Sequence, residues 1–252
     1  MTRVLPDDEV ARRNEEFESS DPRAILAWAL GEERLPHLAL ASAFQAEGTA
    51  VMHMAAEIRP GVRVLFLDTG FHFEETLALR DSLSERLAIE VVNLTGAYPT
   101  PEEQAAATGP HLYERDPERC CEINKVAPFF EALRGLDAWI TSLRRDSSPT
   151  RAASPIVDQY ELEPGRWIVK VNPVANWTRR DAWDYLRDHD LPVNPLYALG
   201  YSSIGCAPCT RMRFAGEPER AGRWADKPKW ECGIHERDRR TGLVSPPQGR
   251  GR

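Results

Sequence analysis

Between residues 37 and 143 the chain alternates short apolar runs with amphipathic stretches. "HLALAS", "VRVLFLDTG" and "IEVVNL" are apolar almost throughout, the pattern of strands covered on both faces rather than of a sheet with one wet side. After the first comes "AFQAEG", a predicted loop, and "TAVMHMAAEI", a predicted helix; after the second comes the helical pattern "FEETLALRDSLSERL". Strand, loop, helix and strand in this rhythm predict βαβ units and a parallel sheet with helices on both faces. A further strand, "AWITSL", follows "ERCCEINKVAPFF", which reads as a helix. The polar loop "RRDSSPTRAASP" then leads to a predicted hairpin, "YELEPGRWIVK". "TRRDAWDYLRDHD" opens with Thr178 and Asp181 in capping-box spacing and predicts a helix. Upstream of the first strand, "SSDPRAILAWALGEER" puts Asp21 at an N-cap and Pro22 at the first helical position, with Ile25, Leu26 and Leu30 on one stripe. Beyond Cys209 the periodicity fades, and the closing "TGLVSPPQGRGR" has the composition of a disordered tail.

The pattern divides the 252 residues into an N-terminal helical segment (1–36), an α/β domain (37–215) and a C-terminal segment with its tail (216–252), the last expected to be flexible. The domain is expected to be a doubly wound, mostly parallel sheet. A formal net charge of −7 argues against non-specific nucleic-acid binding. No apolar run is long enough to span a bilayer, and "MTRVLPDDEVARRNEE" lacks the apolar region of a signal peptide. The expectation is a cytoplasmic protein with no membrane or nucleic-acid partner. In that compartment structural disulfides are rare, and cysteine spacing points to metal or catalysis. Oligomeric state stays open, a homo-oligomer included.

Four of the five cysteines come in two pairs. Cys120 and Cys121 are adjacent, so on a helix their side chains diverge by about 100°, which suits neither a mutual disulfide nor a simple core role. Cys206 and Cys209 form the C-x-x-C of "GCAPC", a spacing that lets two thiolates bind one metal centre. A redox dithiol would account for this pair and leave the other unexplained. Joined, the pairs supply four thiolates, the ligand count of a tetrahedral zinc or an iron–sulfur cluster. Adjacent residues must splay to reach one small ion, whereas a cubane offers each sulfur its own iron. Adjacency favours a cluster and leaves zinc open. The fifth, Cys232, lies among Arg220, Arg223, Lys227 and Lys229, and cations favour a nucleophilic thiolate. Taken alone, an incidental thiol in a basic tail fits it equally well.

"SAFQAEG" occupies the loop where α/β folds set nucleotide phosphates against a helix N-terminus, although it is neither G-x-G-x-x-G nor a Walker A motif. Asp68 and Gly70, in "LDTGFHFEETL", end the second strand on the same edge. With "RCCEINKVAPF", "WITSLRRDSSPTR", "NPVANWTRRDAWDYL", "NPLYALGYSSIGCAPCTR", "ERAGRW" and "ECGIH", in this order, that stretch resembles the phosphoadenylyl/adenylyl sulfate reductase family. Within the family the likeness is to the cluster-bearing, thioredoxin-dependent branch acting on adenylyl sulfate (APS), and it runs from about Leu38 to His235.

The resemblance implies an adenine-nucleotide α-hydrolase-like fold and a 4Fe-4S cluster on Cys120, Cys121, Cys206 and Cys209. It implies Cys232 as the nucleophile that takes sulfur from APS, expelling AMP and forming an S-sulfocysteine that thioredoxin reduces to release sulfite. Ser42 and its loop would cradle the α-phosphate, and Leu67 would present backbone to the adenine. Lys125 would lie between cluster and substrate, while Arg145, Arg151, Arg220 and Arg223 would hold phosphate and sulfate oxygens. A cluster of cations suits a substrate with two anionic groups joined by an anhydride. The chain departs from the family at Ala43, Gln45, Ser142 and Ser147, which touches the phosphate loop and none of the cysteines. The alternatives are reduction of the 3′-phosphorylated substrate, PAPS, and a PP-loop nucleotide-binding or thiolation protein. Against the second, "SAFQAEG" lacks the paired glycines that wrap a triphosphate.

Overall fold

The computed structural model describes residues 3–225 and 227–235. Two helices come first, α1 (Asp7–Phe17) and α2 (Pro22–Gly31); the Asp21 carboxylate accepts from the Arg23 N–H and starts α2 where the sequence predicts. Then follow β1 (Leu38–Ala41), α3 (Ala46–Ile58), β2 (Arg63–Asp68), α4 (Glu74–Leu87) and β3 (Glu90–Thr95). Helix α3 begins inside the predicted loop "AFQAEG". Phe44, in the left-handed region at φ 54°, turns the chain directly into the helix while its ring packs on Phe66 with centroids 5.5 Å apart.

Helices α5 (Pro101–Thr108) and α6 (Leu112–Arg115) carry no apolar stripe and left no periodic signal. The predicted helix around the cysteine pair is three pieces: α7 (Pro117–Cys121), a π-helical turn (Glu122–Val126) and α8 (Ala127–Leu133). Pro128 has no N–H to give the Asn124 carbonyl, so the helix widens there instead of continuing as a regular α-helix. Next come β4 (Ala138–Ile140), the hairpin β5 (Val157–Glu163) and β6 (Arg166–Val171), and α9 (Arg179–Asp188) with the predicted Thr178–Asp181 capping box, after which two short 3-10 turns, Pro195–Leu199 and Ala207–Cys209, lead to the C-terminal segment.

The six strands lie in the order β3-β2-β1-β4-β6-β5, parallel except for β5 against β6. From β1 the chain runs outward to β2 and β3, then returns to β4 on the other side. The switch point of the sheet is therefore the C-terminal end of β1 and β4, where such sheets open a crevice. Alternate residues feed two cores. Leu40, Phe66 and Ile140 face α2, α3, α4 and α9, while Ala39, Leu65 and Trp139 face Phe129, Phe130 and Leu133 of α8. The C-terminal segment, expected to be flexible, is packed onto the protein as far as His235: Trp224 and Glu231 are buried and Ile234 joins the second core. The tail "TGLVSPPQGRGR" lies outside the described residues. Among those described, no helix is long and apolar enough to cross a membrane.

Candidate active site

A cleft of about 1190 Å³, open space at its mouth included, sits at the switch point. Ser42, Leu67 and Thr141 line its floor, and Arg220, Arg223 and Cys232 come over it from the C-terminal segment. The Ser42 N–H donates to Leu65 O (3.1 Å) and its hydroxyl accepts from the Phe44 N–H (3.0 Å), which holds the tight turn into α3. The first turn of α3 thereby starts at the cleft, bringing the partial positive charge of a helix N-terminus to an anion. Gln45, a departure from the family pattern, reaches across the cleft and accepts from the Ile204 N–H at 2.9 Å. The Leu67 carbonyl is already taken by His72 Nε2 at 2.8 Å. Burial pushes the His72 ring down from its ordinary pKa, so it is neutral and carries its proton on the nitrogen facing Leu67.

The cations divide unevenly. Lys125, Arg151, Arg220 and Arg223 all line the cleft. Arg220 is pushed down to about 10, chiefly by burial, with Arg151 and Arg223 adding to the repulsion against the pull of Glu231 and Cys232. It stays charged at neutral pH, in a place where a further anion would be welcome. Gly205 makes room for Arg223, since a Cβ there would meet its Nη2 at 2.2 Å. Arg145 does not reach the cleft. Its guanidinium pairs with Glu18 at 2.6 Å and donates to Ser154 O at 2.8 Å, so the structure does not bring it together with the other arginines expected at the substrate. The neighbouring Arg144 faces the cleft instead, 1 % exposed, and is held by Glu47, Asp146 and Glu219. Three carboxylates around one guanidinium make it a brace between α3, the loop and the C-terminal segment, not a free anion receptor.

The four paired cysteines line a second, smaller hollow with Thr69, Asn124 and Lys125. None is in a disulfide. Cys120 and Cys121 end α7, while Cys206 precedes and Cys209 ends the Ala207–Cys209 turn, tied down by Cys209 N–H to Cys206 O (3.0 Å) and Ala207 N–H to Phe71 O (2.7 Å). Donors are aimed at sulfur: Asn124 Nδ2 lies 3.5 Å from Cys120 Sγ and Thr69 Oγ1 lies 3.3 Å from Cys206 Sγ. Burial raises the thiol of Cys121 to about 12 and that of Cys209 to about 11. Cys206 is lowered, because Lys125, Thr69 and Arg223 together overcome its burial. Among the described residues no three Cys, His, Asp or Glu groups are disposed for a single metal ion. Four thiols facing one hollow, three of them buried and two with hydrogen-bonding groups on the sulfur, fit a group that brings its own positive charge and spans more than one ligand point.

Lys125 and Cys206 belong to both hollows and form the wall between them. Burial lowers the Lys125 ammonium, but the sulfurs of Cys206, Cys121 and Cys232 raise it further, and the net shift is upward. Its position depends on the π turn, whose close approach to the end of β3 needs Gly96: a Cβ there would lie 2.5 Å from Ile123 O. Sequence reasoning missed Trp224, whose ring gathers Arg223 (4.5 Å), Lys229 (5.3 Å) and Lys125 (5.9 Å). It also missed Glu231, the first residue of "ECGIH" and the direct neighbour of Cys232.

Residues 37–212 match the phosphoadenosine phosphosulfate reductase domain family. A Streptomyces coelicolor protein named adenosine 5′-phosphosulfate reductase is 44% identical over 224 residues, covering 89% of this chain and 92% of its own. One of the same name from Salinibacter ruber is 43% identical over 230 residues, covering 90% and 88%. The crystal structure of phosphoadenylyl-sulfate reductase from Candida auris, a phosphate complex, superposes with a TM-score of 0.69 at 27% identity, covering 81% of this chain and 97% of that one. Candida glabrata FMN adenylyltransferase, at 13% identity and a TM-score of 0.53, shares the fold alone.

Proposed function

Because the chain belongs to the phosphoadenosine phosphosulfate reductase family, we propose that it reduces APS to sulfite and AMP in sulfate assimilation, in the cytoplasm, with Cys232 as nucleophile and thioredoxin as reductant. The observation that carries this reading is the meeting in one cleft of a strand-end nucleotide loop, a group of buried cations and the one cysteine outside the two pairs.

The Cys232 thiolate attacks the sulfur of APS. A sulfur–sulfur bond forms as the anhydride sulfur–oxygen bond breaks, and the electron pair leaves on the phosphate of AMP. The enzyme is left with an S-sulfocysteine. A thiolate of the thioredoxin dithiol then attacks Cys232 Sγ and expels sulfite, and the second thiol resolves the mixed disulfide, so the two electrons come from thioredoxin. The chain's own task is to orient the thiolate and neutralise the anions. Arg220, Arg223 and Lys125 supply charge to the sulfate and phosphate, and Ser42 with the first turn of α3 receives the nucleotide end. Cys120, Cys121, Cys206 and Cys209 would hold a 4Fe-4S cluster, which when bound ties α7 to the Ala207–Cys209 turn and bears on the charge of Lys125.

Wild-type protein incubated with APS and no thioredoxin is expected to gain one SO3 group on the peptide containing Cys232. Cys232→Ser should keep its iron and bind APS yet release no sulfite, since a hydroxyl is far less ionised than a thiol. An adduct on another cysteine, or sulfite from the serine variant, overturns the mechanism. Anaerobically purified protein should carry iron and acid-labile sulfide at about four each; zinc without sulfide refutes the cluster. A kcat/KM that favours PAPS over APS in direct competition moves the substrate assignment.

A further inference from the structure

We infer that Glu231 is a positioning residue, whose ion pair with Arg151 latches the C-terminal segment so that the next residue, Cys232, is held over the cleft. Arg151 presents the Nε–Nη2 edge of its guanidinium to the carboxylate: Nε lies 2.9 Å from Glu231 Oε1 and Nη2 lies 2.8 Å from Oε2. The remaining Arg151 nitrogen turns to Ser147 Oγ at 3.4 Å. The Thr150 hydroxyl donates to Oε1 at 3.3 Å, and Arg220 Nη2 joins Oε2 at 3.3 Å while holding Trp230 O at 3.1 Å. Glu231 is 7% exposed, and a carboxylate so buried is tolerable only with its oxygens satisfied, as these are. The Nε atoms of Arg220 and Arg223 are by contrast buried and without a partner. Arg151 therefore serves the segment, Arg220 bridges segment and substrate, and Arg223 and Lys125 face substrate oxygens alone.

On the far side of Cys232 the anchors are apolar: Ile234 in the second core, and the His235 ring stacked on Trp139 with centroids 5.8 Å apart. The thiol is thus suspended between a polar anchor and an apolar one. Without the polar anchor it hinges from one side only, and a misplacement of about 1 Å can slow a chemical step about 100-fold.

The inference rests on Cys232 being the nucleophile, and the test separates the two. Glu231→Gln removes the charge and keeps the shape. Its single-turnover S-sulfonation by APS should slow about 10- to 100-fold, with the APS dissociation constant held within about threefold. Alkylation of Cys232 by iodoacetamide should become faster. Arg151→Met should behave likewise, and the double variant no worse than either single, because the pair acts as a unit. The double variant removes both charges of the bidentate pair together and leaves Arg220 its bond to Trp230 O, so it tests the latch should a single variant fail to fold. Weaker APS binding at an unchanged S-sulfonation rate, or losses that multiply in the double variant, overturns the latch and returns Arg151 to the substrate. If wild type forms no adduct, the nucleophile reading fails, and an alkylation rate unaffected by Glu231→Gln then overturns the latch independently.

Discussion

Gly205→Ala puts a methyl group where the Arg223 guanidinium lies. The new Cβ would be 2.2 Å from Nη2, 2.3 Å from Cζ and 2.7 Å from Nη1, all inside van der Waals contact. The obstructing atoms are the far end of a flexible side chain, so the arginine swings aside and the backbone holds. Folding loses the Nη1 bond to Ile204 O (3.3 Å) and the position 4.5 Å over the Trp224 ring, together about 1–3 kcal/mol. Substrate binding loses more in relative terms. A charge-assisted hydrogen bond contributes about 1.5–3 kcal/mol, so the KM for APS should rise about 10- to 150-fold. Steady-state sulfite release gives KM and kcat, and iron content and a thermal melt show whether the fold survives. Arg223→Ala should match the variant, and Gly205→Ala with Arg223→Ala should be no worse than Arg223→Ala alone. An unchanged KM, or losses that add fully in the double variant, refutes the reasoning.

Three further outcomes are expected. Gly96→Ala drives a Cβ to 2.5 Å from Ile123 O and 3.0 Å from Asn124 Cα, which are backbone atoms that cannot swing away. The variant should lose about 1–3 kcal/mol of stability in a denaturant melt, and iron on purification with it; a wild-type midpoint and full iron content would count against the packing argument. Arg145→Ala removes a partly exposed pair with Glu18, worth about 0–1 kcal/mol, and should leave the KM for APS within about twofold, where a larger rise would return Arg145 to the substrate site. Lys170, 7% exposed, is lowered to about 8, by burial first and then by Arg151, against the pull of Glu231. Its folded pKa lies below the unfolded value of about 10.4, so the charged form burdens the fold at neutral pH and that burden lifts as pH rises between the two values. Lys170→Met should stabilise the protein at pH 7 by about 1–3 kcal/mol, after allowing for the lost contact with the Trp139 ring, 5.1 Å away, and the gain should fade toward pH 10. A gain independent of pH would dissociate it from that ionisation.

Much of the architecture was legible because its causes are local. Strands covered on both sides must be apolar at every position, so "HLALAS" and "VRVLFLDTG" declared themselves. Asp21 before Pro22, and Thr178 before Asp181, mark helix starts through bonds that span only two or three residues. Helix α3 was placed late because its first turn, Ala46–Gly48, has no apolar stripe; the turn is set by Phe44 packing on Phe66 across the sheet. The π turn was illegible for a related reason. Pro128 removes one hydrogen bond, but whether a helix then breaks, kinks or widens depends on what packs against it.

The site divides along the same line. Residue type and spacing along the chain determined that two cysteine pairs and a lone Cys232 exist, that arginines crowd the later segments, and that a strand-end loop precedes a helix. Only the tertiary structure decided which of these meet. Arg144 and Arg145 are adjacent and chemically identical, yet one braces the cleft against Glu219, 75 positions away, and the other turns outward to Glu18, 127 positions away. Arg151 is engaged by Glu231 across 80 positions, which separates it from the arginines it resembles in sequence. A charged side chain goes where its counter-charge is, and when that partner lies far along the chain the choice is made by the packing of the sheet and of the segment that closes over it, not by any neighbour in sequence.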